Sequence, residues 1–194
     1  MTENRRQRDP AEQGALAAVR DGTRRDYLAF AEANGRLVVS DNPVATKARL
    51  LADSRREASL DPAGNVMIAL RRRDLAELNT LAHGLMDGHG RLGNDRLSLD
   101  GREFAPGDRV VCRRNDTVLN VNNGTRGTVE AADPAGRTLT VLTDRGDRVE
   151  LPCRYLTAGH VRHAYALTGH SGQGVTVERA FVLASADARL QEWG

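Results

Sequence analysis

Asp133-Pro134-Ala135-Gly136-Arg137-Thr138-Leu139-Thr140-Val141-Leu142-Thr143-Asp144-Arg145-Gly146-Asp147-Arg148-Val149-Glu150-Leu151 holds two short apolar runs, each entered through a turn. Asp, Pro and Gly set the turns, because they supply side-chain hydrogen bonds, a fixed φ and access to positive φ. The runs Leu139–Leu142 and Val149–Leu151 have the length and β-branched content of strands. The same texture extends toward the N-terminus. Gly127-Thr128-Val129 follows the turn Asn122-Asn123-Gly124, and Val110-Val111-Cys112 precedes it. Short strands and Gly-rich turns from Gly107 to about Tyr155 predict a small β-barrel of about 50 residues.

On both sides of this stretch the pattern changes. Asp9-Pro10-Ala11-Glu12 is a helix start, with Asp9 as cap and Pro10 in the first turn. Leu16 and Val19 give that helix an apolar stripe, and Gly22 ends it. A second helix is expected over Thr23–Ala33, closed by Asn34-Gly35. Leu37-Val38-Val39 is expected to be a short buried strand. Asn42-Pro43 opens a helix carrying Val44, Ala48 and Leu51. Asn65–Leu70 has the composition of a buried strand, and Asp74 starts a helix with Leu75, Leu78, Leu81, Ala82 and Leu85 on one face. Ala180-Phe181-Val182-Leu183 is a further buried strand. Strands alternating with helices predict an α/β sheet covered by helices. The expected organisation is an α/β part over 1–105, an inserted barrel over 106–157, and a return to α/β over 158–194.

Composition bounds the function. The 194 residues are 40% hydrophobic and 28% charged, with a formal net charge of +2. Any nucleic-acid surface must therefore be a local strip. Lys47 is the only lysine, so the cationic side chains are almost all arginine, whose planar fork binds phosphate bidentately. Cys112 and Cys153 have no zinc-site spacing, and His83, His89, His160 and His163 are read as structural or exposed, so no metal is expected. No apolar run nears the roughly 20 residues of a membrane span. Met1–Arg8 is too polar for a secretory signal, and a cytoplasmic location is expected.

Several motifs fail. Gly169-His170-Ser171-Gly172-Gln173 has Gln where a nucleophile elbow needs its last Gly. Gly172-Gln173-Gly174 lacks the third Gly of a dinucleotide fingerprint. A P-loop needs Gly-Lys-Ser/Thr, and Lys47 lies between Thr46 and Ala48 with no glycine loop before it. ATP chemistry would have to draw on a P-loop outside this chain.

Three segments resemble one family. Glu3-Asn4-Arg5-Arg6-Gln7 is similar to helicase motif IV. Met67-Ile68-Ala69-Leu70-Arg71-Arg72-Arg73-Asp74-Leu75-Ala76-Glu77-Leu78-Asn79 is similar to a strand-to-helix segment. Ala164-Tyr165-Ala166-Leu167-Thr168-Gly169-His170-Ser171-Gly172-Gln173-Gly174 is similar to motif V, in the form Tyr-Ala-x-Thr-x-His-x-x-Gln-Gly. These resemble the RecD-like helicases of superfamily 1, and most closely the helicase part of TraA-type (MobF) conjugative relaxases.

The resemblance implies a partial RecA-like (P-loop NTPase-type) domain with an inserted Src-homology-3-like barrel, corresponding to Gly107–Val129 and its continuation. It implies that Arg6, Gln173 and Gly174 face an ATP cleft. It further implies that Thr168, His170 and Ser171, with Arg113, Arg114 and Arg126 on the barrel, contact single-stranded DNA. ATP and Mg would be bound only in an intact parent protein, with the missing first RecA-like domain as partner and other conjugative transfer proteins as further partners. The segment resembling motif VI is expected beyond Gly194, so the chain alone is expected to be catalytically inactive. Two positions depart from the family pattern: Ser171 stands where relatives carry a basic residue, and Thr176 where many carry Glu. A second reading takes Gly107–Val129 as a non-enzymatic nucleic-acid-binding module, since it also resembles the small barrels of transcription and ribosomal proteins.

Overall fold

The structure, a computed structural model, describes residues 9–58, 64–172 and 176–184. The chain divides into two compact units, Met1–Thr46 and Lys47–Gly194. In the first, α1 (Pro10–Arg20) and α2 (Arg24–Ala33) pack against each other. Asp9 caps α1 by accepting from Ala11 N–H at 2.9 Å, which satisfies a donor that the helix leaves open. Ala15 and Ala31 are buried, and the Arg36–Glu12 ion pair at 3.0 Å ties the segment after α2 back to α1.

Leu37-Val38-Val39 is not a strand. Val38 is 49% and Val39 82% exposed. The run has strand composition, but a strand needs a ladder partner, and among the described residues none pairs with it. Asn42 then caps α3 (Pro43–Ala58), its Oδ1 accepting from Val44 N at 3.0 Å and Ala45 N at 3.2 Å.

The second unit contains two sheets that matter here. β1 (Asn65–Ala69) is the centre of a parallel sheet in the order β10-β1-β9, where β9 is Ala166–Leu167 and β10 is Arg179–Leu183. All its pairings are parallel, and a parallel sheet needs cover. That cover is α4 (Arg72–Gly88), which places Leu78 and Ala82 against Met67, Ala69 and Ala166. Asn79 on α4 acts as a clasp. Its Nδ2 donates to Ala166 O and its Oδ1 accepts from Ala166 N, each at 3.1 Å, so a side-chain amide completes the edge of β9 like a neighbouring strand. Nδ2 also bonds Leu75 O within the helix at 3.0 Å.

A hairpin of β2 (Leu97–Leu99) and β3 (Arg102–Phe104) follows α4. Asp100 and Gly101 both take positive φ, 48° and 75°, the requirement of a two-residue hairpin turn.

The five-stranded antiparallel sheet comes next: β4 (Arg109–Cys112), β5 (Arg126–Asp133), β6 (Thr138–Thr143), β7 (Arg148–Leu151) and β8 (Val161–His163), in the order β7-β6-β5-β4-β8. The short helix α5 (Cys153–Thr157) carries the chain from β7 to β8. Among the described strands β7 and β8 do not pair, so the ladder is open. The alternating residues Val129, Leu139, Val141, Val149 and Leu151 form one core with Tyr155 and Leu156. Gly127 is required where β5 crosses β6, because a Cβ there would meet Leu142 O at 2.4 Å. No helix among the described residues is long and apolar enough to cross a membrane.

Candidate nucleic-acid groove

An open groove of ≈ 890 Å³ lies in the second unit. One wall comes from the five-stranded sheet and its turns, with Arg113, Asn123, Arg126 and Arg145. The other comes from His170, Ser171, Thr176 and Glu178. Thus Arg113, Arg126, His170 and Ser171, four of the residues expected to contact DNA, line one groove.

Thr168 sits behind this lining and shapes it. Its Oγ1 donates to Ser171 Oγ at 2.9 Å and accepts from Ser171 N–H at 3.1 Å. Gly172 N–H closes the turn on Thr168 O at 2.9 Å. Across the groove, Arg113 Nη1 donates to Ser171 Oγ at 3.3 Å. Ser171 thus links the turn to the sheet. Arg114 is exposed but lies outside the groove lining; its carbonyl accepts from Tyr155 Oη. Arg6, Gln173 and Gly174 lie outside the described residues.

The groove's charge is set by an unequal grouping. Asp144 accepts from Arg109 Nη2 at 2.8 and 3.0 Å and from Arg126 Nη2 at 2.9 Å. Arg109 is buried, so its guanidinium requires this partner. One carboxylate therefore serves two guanidiniums, and with Glu178 as the other acid of the lining, positive charge is still left over beside Arg113 and Arg145. The Asn122–Thr125 turn offers few free amides. Asn122 N–H is taken by Thr125 Oγ1 at 2.9 Å, Asn123 N–H by Asn115 Oδ1 at 2.7 Å and Gly124 N–H by Cys112 O at 2.8 Å. Donors to an anion in this groove are thus mainly guanidinium, imidazole and hydroxyl groups, which suits contact with a sugar–phosphate backbone and not base reading.

Arg145 and Glu178 were not singled out from the sequence. Asp144-Arg145-Gly146 carries a turn signal that masks the charge it presents. Lys47 is also accounted for: it pairs with Asp74 at 2.8 Å and with Glu77. The only lysine is thus engaged in an ion-pair network.

Behind the groove, a buried cluster joins α4 to the sheet. Asp108 is 0% exposed. Its Oδ1 accepts from Tyr165 Oη at 2.6 Å and bonds His83 Nδ1 at 2.8 Å, while Oδ2 accepts from Ala105 N–H at 2.8 Å. His163 Nε2 lies 3.6 Å from Oδ2. Burial alone would push the Asp108 carboxyl up, but the facing imidazoles of His163 and His83, with the Tyr165 hydroxyl, outweigh it and hold the group well below the usual carboxylate range. The hydrogen bond to Asp108 raises His83 above the usual imidazole value, against the opposing effect of burial. Burial, then the Asp108 charge, pushes the Tyr165 hydroxyl far up, so it stays a donor.

Comparison with known proteins gives these features a family. No protein-family profile matches the chain. It is 33% identical over 183 residues to the conjugal transfer protein TraA of Agrobacterium fabrum, a match covering 93% of this chain and 16% of that protein. A TraA protein described as probable, from Sinorhizobium fredii, is 36% identical over 158 residues, covering 79% of this chain and 14% of its own length. Among solved structures, the Pif1 helicase from Bacteroides in complex with ADP-AlF3 and ssDNA aligns with a TM-score of 0.58 at 16% identity, over 95% of this chain and 45% of that one. Two coordinating Pif1 helicases at forked dsDNA give a TM-score of 0.58 at 17% identity, over 93% of this chain and 42% of that one. The fold is thus that of part of a Pif1 helicase. Over nearly all of its length, the chain is a homologue of one region of the TraA conjugal transfer proteins, spanning 16% of the first of them.

Proposed function

We propose that the chain is part of the second RecA-like motor domain of a conjugative DNA helicase, and that its groove holds the backbone of single-stranded DNA. The observation that carries this reading is the convergence of Arg113, Arg126, His170 and Ser171, from positions far apart in sequence, on one groove. The Pif1 neighbour at TM-score 0.58 was solved with ssDNA and a nucleotide analogue, which supports both the ligand and the motor assignment. In this reading the five-stranded sheet is a Src-homology-3-like insertion, with Arg113, Arg126 and Arg145 on its DNA-facing side. Arg6, Gln173 and Gly174 would contribute half of an ATP site, completed with Mg and a P-loop by the first RecA-like domain of the parent protein. The chain alone is expected to bind single strands in the cytoplasm and not to hydrolyse ATP.

The test is fluorescence anisotropy with a labelled oligonucleotide and the variants Arg126→Ala and His170→Ala. Loss of affinity in both supports a groove made by sheet and turn together. Loss in Arg126→Ala alone favours a binding module carried by the sheet. No saturable binding by the unaltered chain refutes the assignment of the groove to DNA.

A further inference from the structure

Away from the groove lining, a further set of side chains converges among the described residues. His83 on α4, Asp108 before β4 and His163 on β8 each place one ligating atom within 4.8 Å of the others. The His83 and His163 rings lie side by side, their centroids 4.7 Å apart and their planes 26° from parallel, so both present nitrogen to the same carboxylate. Buried polar atoms normally find a partner, yet among the described residues His163 Nε2 is buried with no hydrogen bond, facing only the Asp108 carboxylate at 3.6 Å. A hydrophobic core does not explain an imidazole nitrogen left facing a carboxylate.

We propose that His83, Asp108 and His163 form a binding site for a divalent transition-metal ion of the zinc class, with an open fourth position. Two imidazoles and one carboxylate suit that class, whereas magnesium and calcium favour oxygen donors throughout. A tetrahedral ion with bonds near 2.1 Å holds its donors about 3.4 Å apart. His83 Nδ1 lies 2.8 Å from Asp108 Oδ1 and His163 Nε2 lies 3.6 Å from Oδ2, on either side of that value though on different oxygens of the one carboxylate, and one donor atom from each residue falls within 4.8 Å of the others.

The surroundings fit as well. Ligating carboxylates are held by outer hydrogen bonds, and ligating histidines direct their second nitrogen at an acceptor. Ala105 N–H and Tyr165 Oη fix the Asp108 carboxylate. His83 Nε2 faces Glu103 Oε1 at 3.8 Å. Binding leaves each ligating ring neutral, with its one proton on the non-ligating nitrogen: a proton on His83 Nδ1 or His163 Nε2 shifts to the other ring nitrogen, or is released to solvent where the ring carried two, and the His83–Asp108 hydrogen bond is replaced by two metal bonds. The bound ion clamps α4 to the turn before β4 and to β8.

The experiment titrates the full chain with zinc chloride, measuring heat and the ring-nitrogen NMR signals of histidine. The expected result is one equivalent bound, with the His83 and His163 signals shifted and those of His89 and His170 unmoved. His163→Gln and His83→Gln should each weaken binding at least about tenfold, as even loss of an outer partner does at such sites, while His89→Gln leaves it intact. Binding of several weak equivalents only, or saturation with the His83 and His163 signals unmoved, overturns the site. The ring-nitrogen readout uses the unaltered chain, so it decides even where a variant fails to fold. The outcome is independent of DNA binding by the groove.

Discussion

Asp108 shows how one residue fixes several elements at once. Its carboxylate is the common acceptor for Ala105 N–H, Tyr165 Oη and His83, and it is fully buried. Removing the charge leaves three donors without an acceptor inside the protein. Truncating one partner of a buried charged pair costs about 3–5 kcal/mol. Asp108→Ala should therefore lose stability in that range in urea denaturation with a chelator present, whereas an exposed acid such as Asp95 should change by less than about 0.5 kcal/mol when truncated. An equally small effect at Asp108 would show that the cluster does not hold the elements together. The sequence could not display this cluster. Gly107-Asp108-Arg109 reads as the start of a strand, and His83 and His163 read as ordinary histidines, because residues 83, 108 and 163 meet only once α4 and β8 are packed. Of the four groove residues, His170 and Ser171 stood out in the sequence because the spacing of the Thr168–Ser171 turn is local and carries its chemistry within a few positions, whereas Arg113 and Arg126 were named only through the resemblance of the barrel segment.

At the scale of elements, most boundaries were visible as caps and turns. Asp9 and Asn42 cap α1 and α3 as their sequence contexts suggest. The hairpin from Leu97 to Phe104 passed unread, although Asp100-Gly101, between Leu97-Ser98-Leu99 and Arg102-Glu103-Phe104, signals a two-residue turn. Leu37-Val38-Val39 erred the other way, since propensity without a pairing partner does not make a strand. Two substitutions test what holds the elements. In Gly127→Ala the new methyl meets Leu142 O at 2.4 Å and Val141 Cγ1 at 2.6 Å. Backbone cannot yield as a flexible side chain does, so β5 must move off β6, with an expected loss of about 1–3 kcal/mol and a matching fall in melting temperature. In Asn79→Leu the volume is nearly kept, but Ala166 N–H and C=O both lose their clasp. A buried group left without a partner costs about 1–3 kcal/mol, and hydrogen exchange at Ala166 should accelerate. Unchanged exchange would mean that β9 is held by β1 alone.

At the scale of the whole molecule, the near-neutral net charge hides a concentrated field. The formal charge is +2 over 194 residues, yet Arg113, Arg126 and Arg145 share one groove in which Asp144 is already divided between two guanidiniums. If each of the three arginines neutralises one phosphate, the logarithm of affinity for single strands should fall with the logarithm of salt with a slope of about −2. Between about 50 and 200 mM salt, affinity should then drop roughly twentyfold. Arg113→Ala removes one such contact and should flatten the slope by about 0.7. It should also loosen Ser171, whose hydroxyl receives Arg113 Nη1. Arg114→Ala, on a side chain outside the lining, should leave the slope where it was. Anisotropy titrations at four salt concentrations measure all three proteins on one axis. Equal slopes in the unaltered chain and Arg113→Ala would mean that the strand runs elsewhere. A steeper dependence than three contacts allow would bring in arginines beyond the groove, such as Arg71, Arg72 and Arg73 where α4 begins.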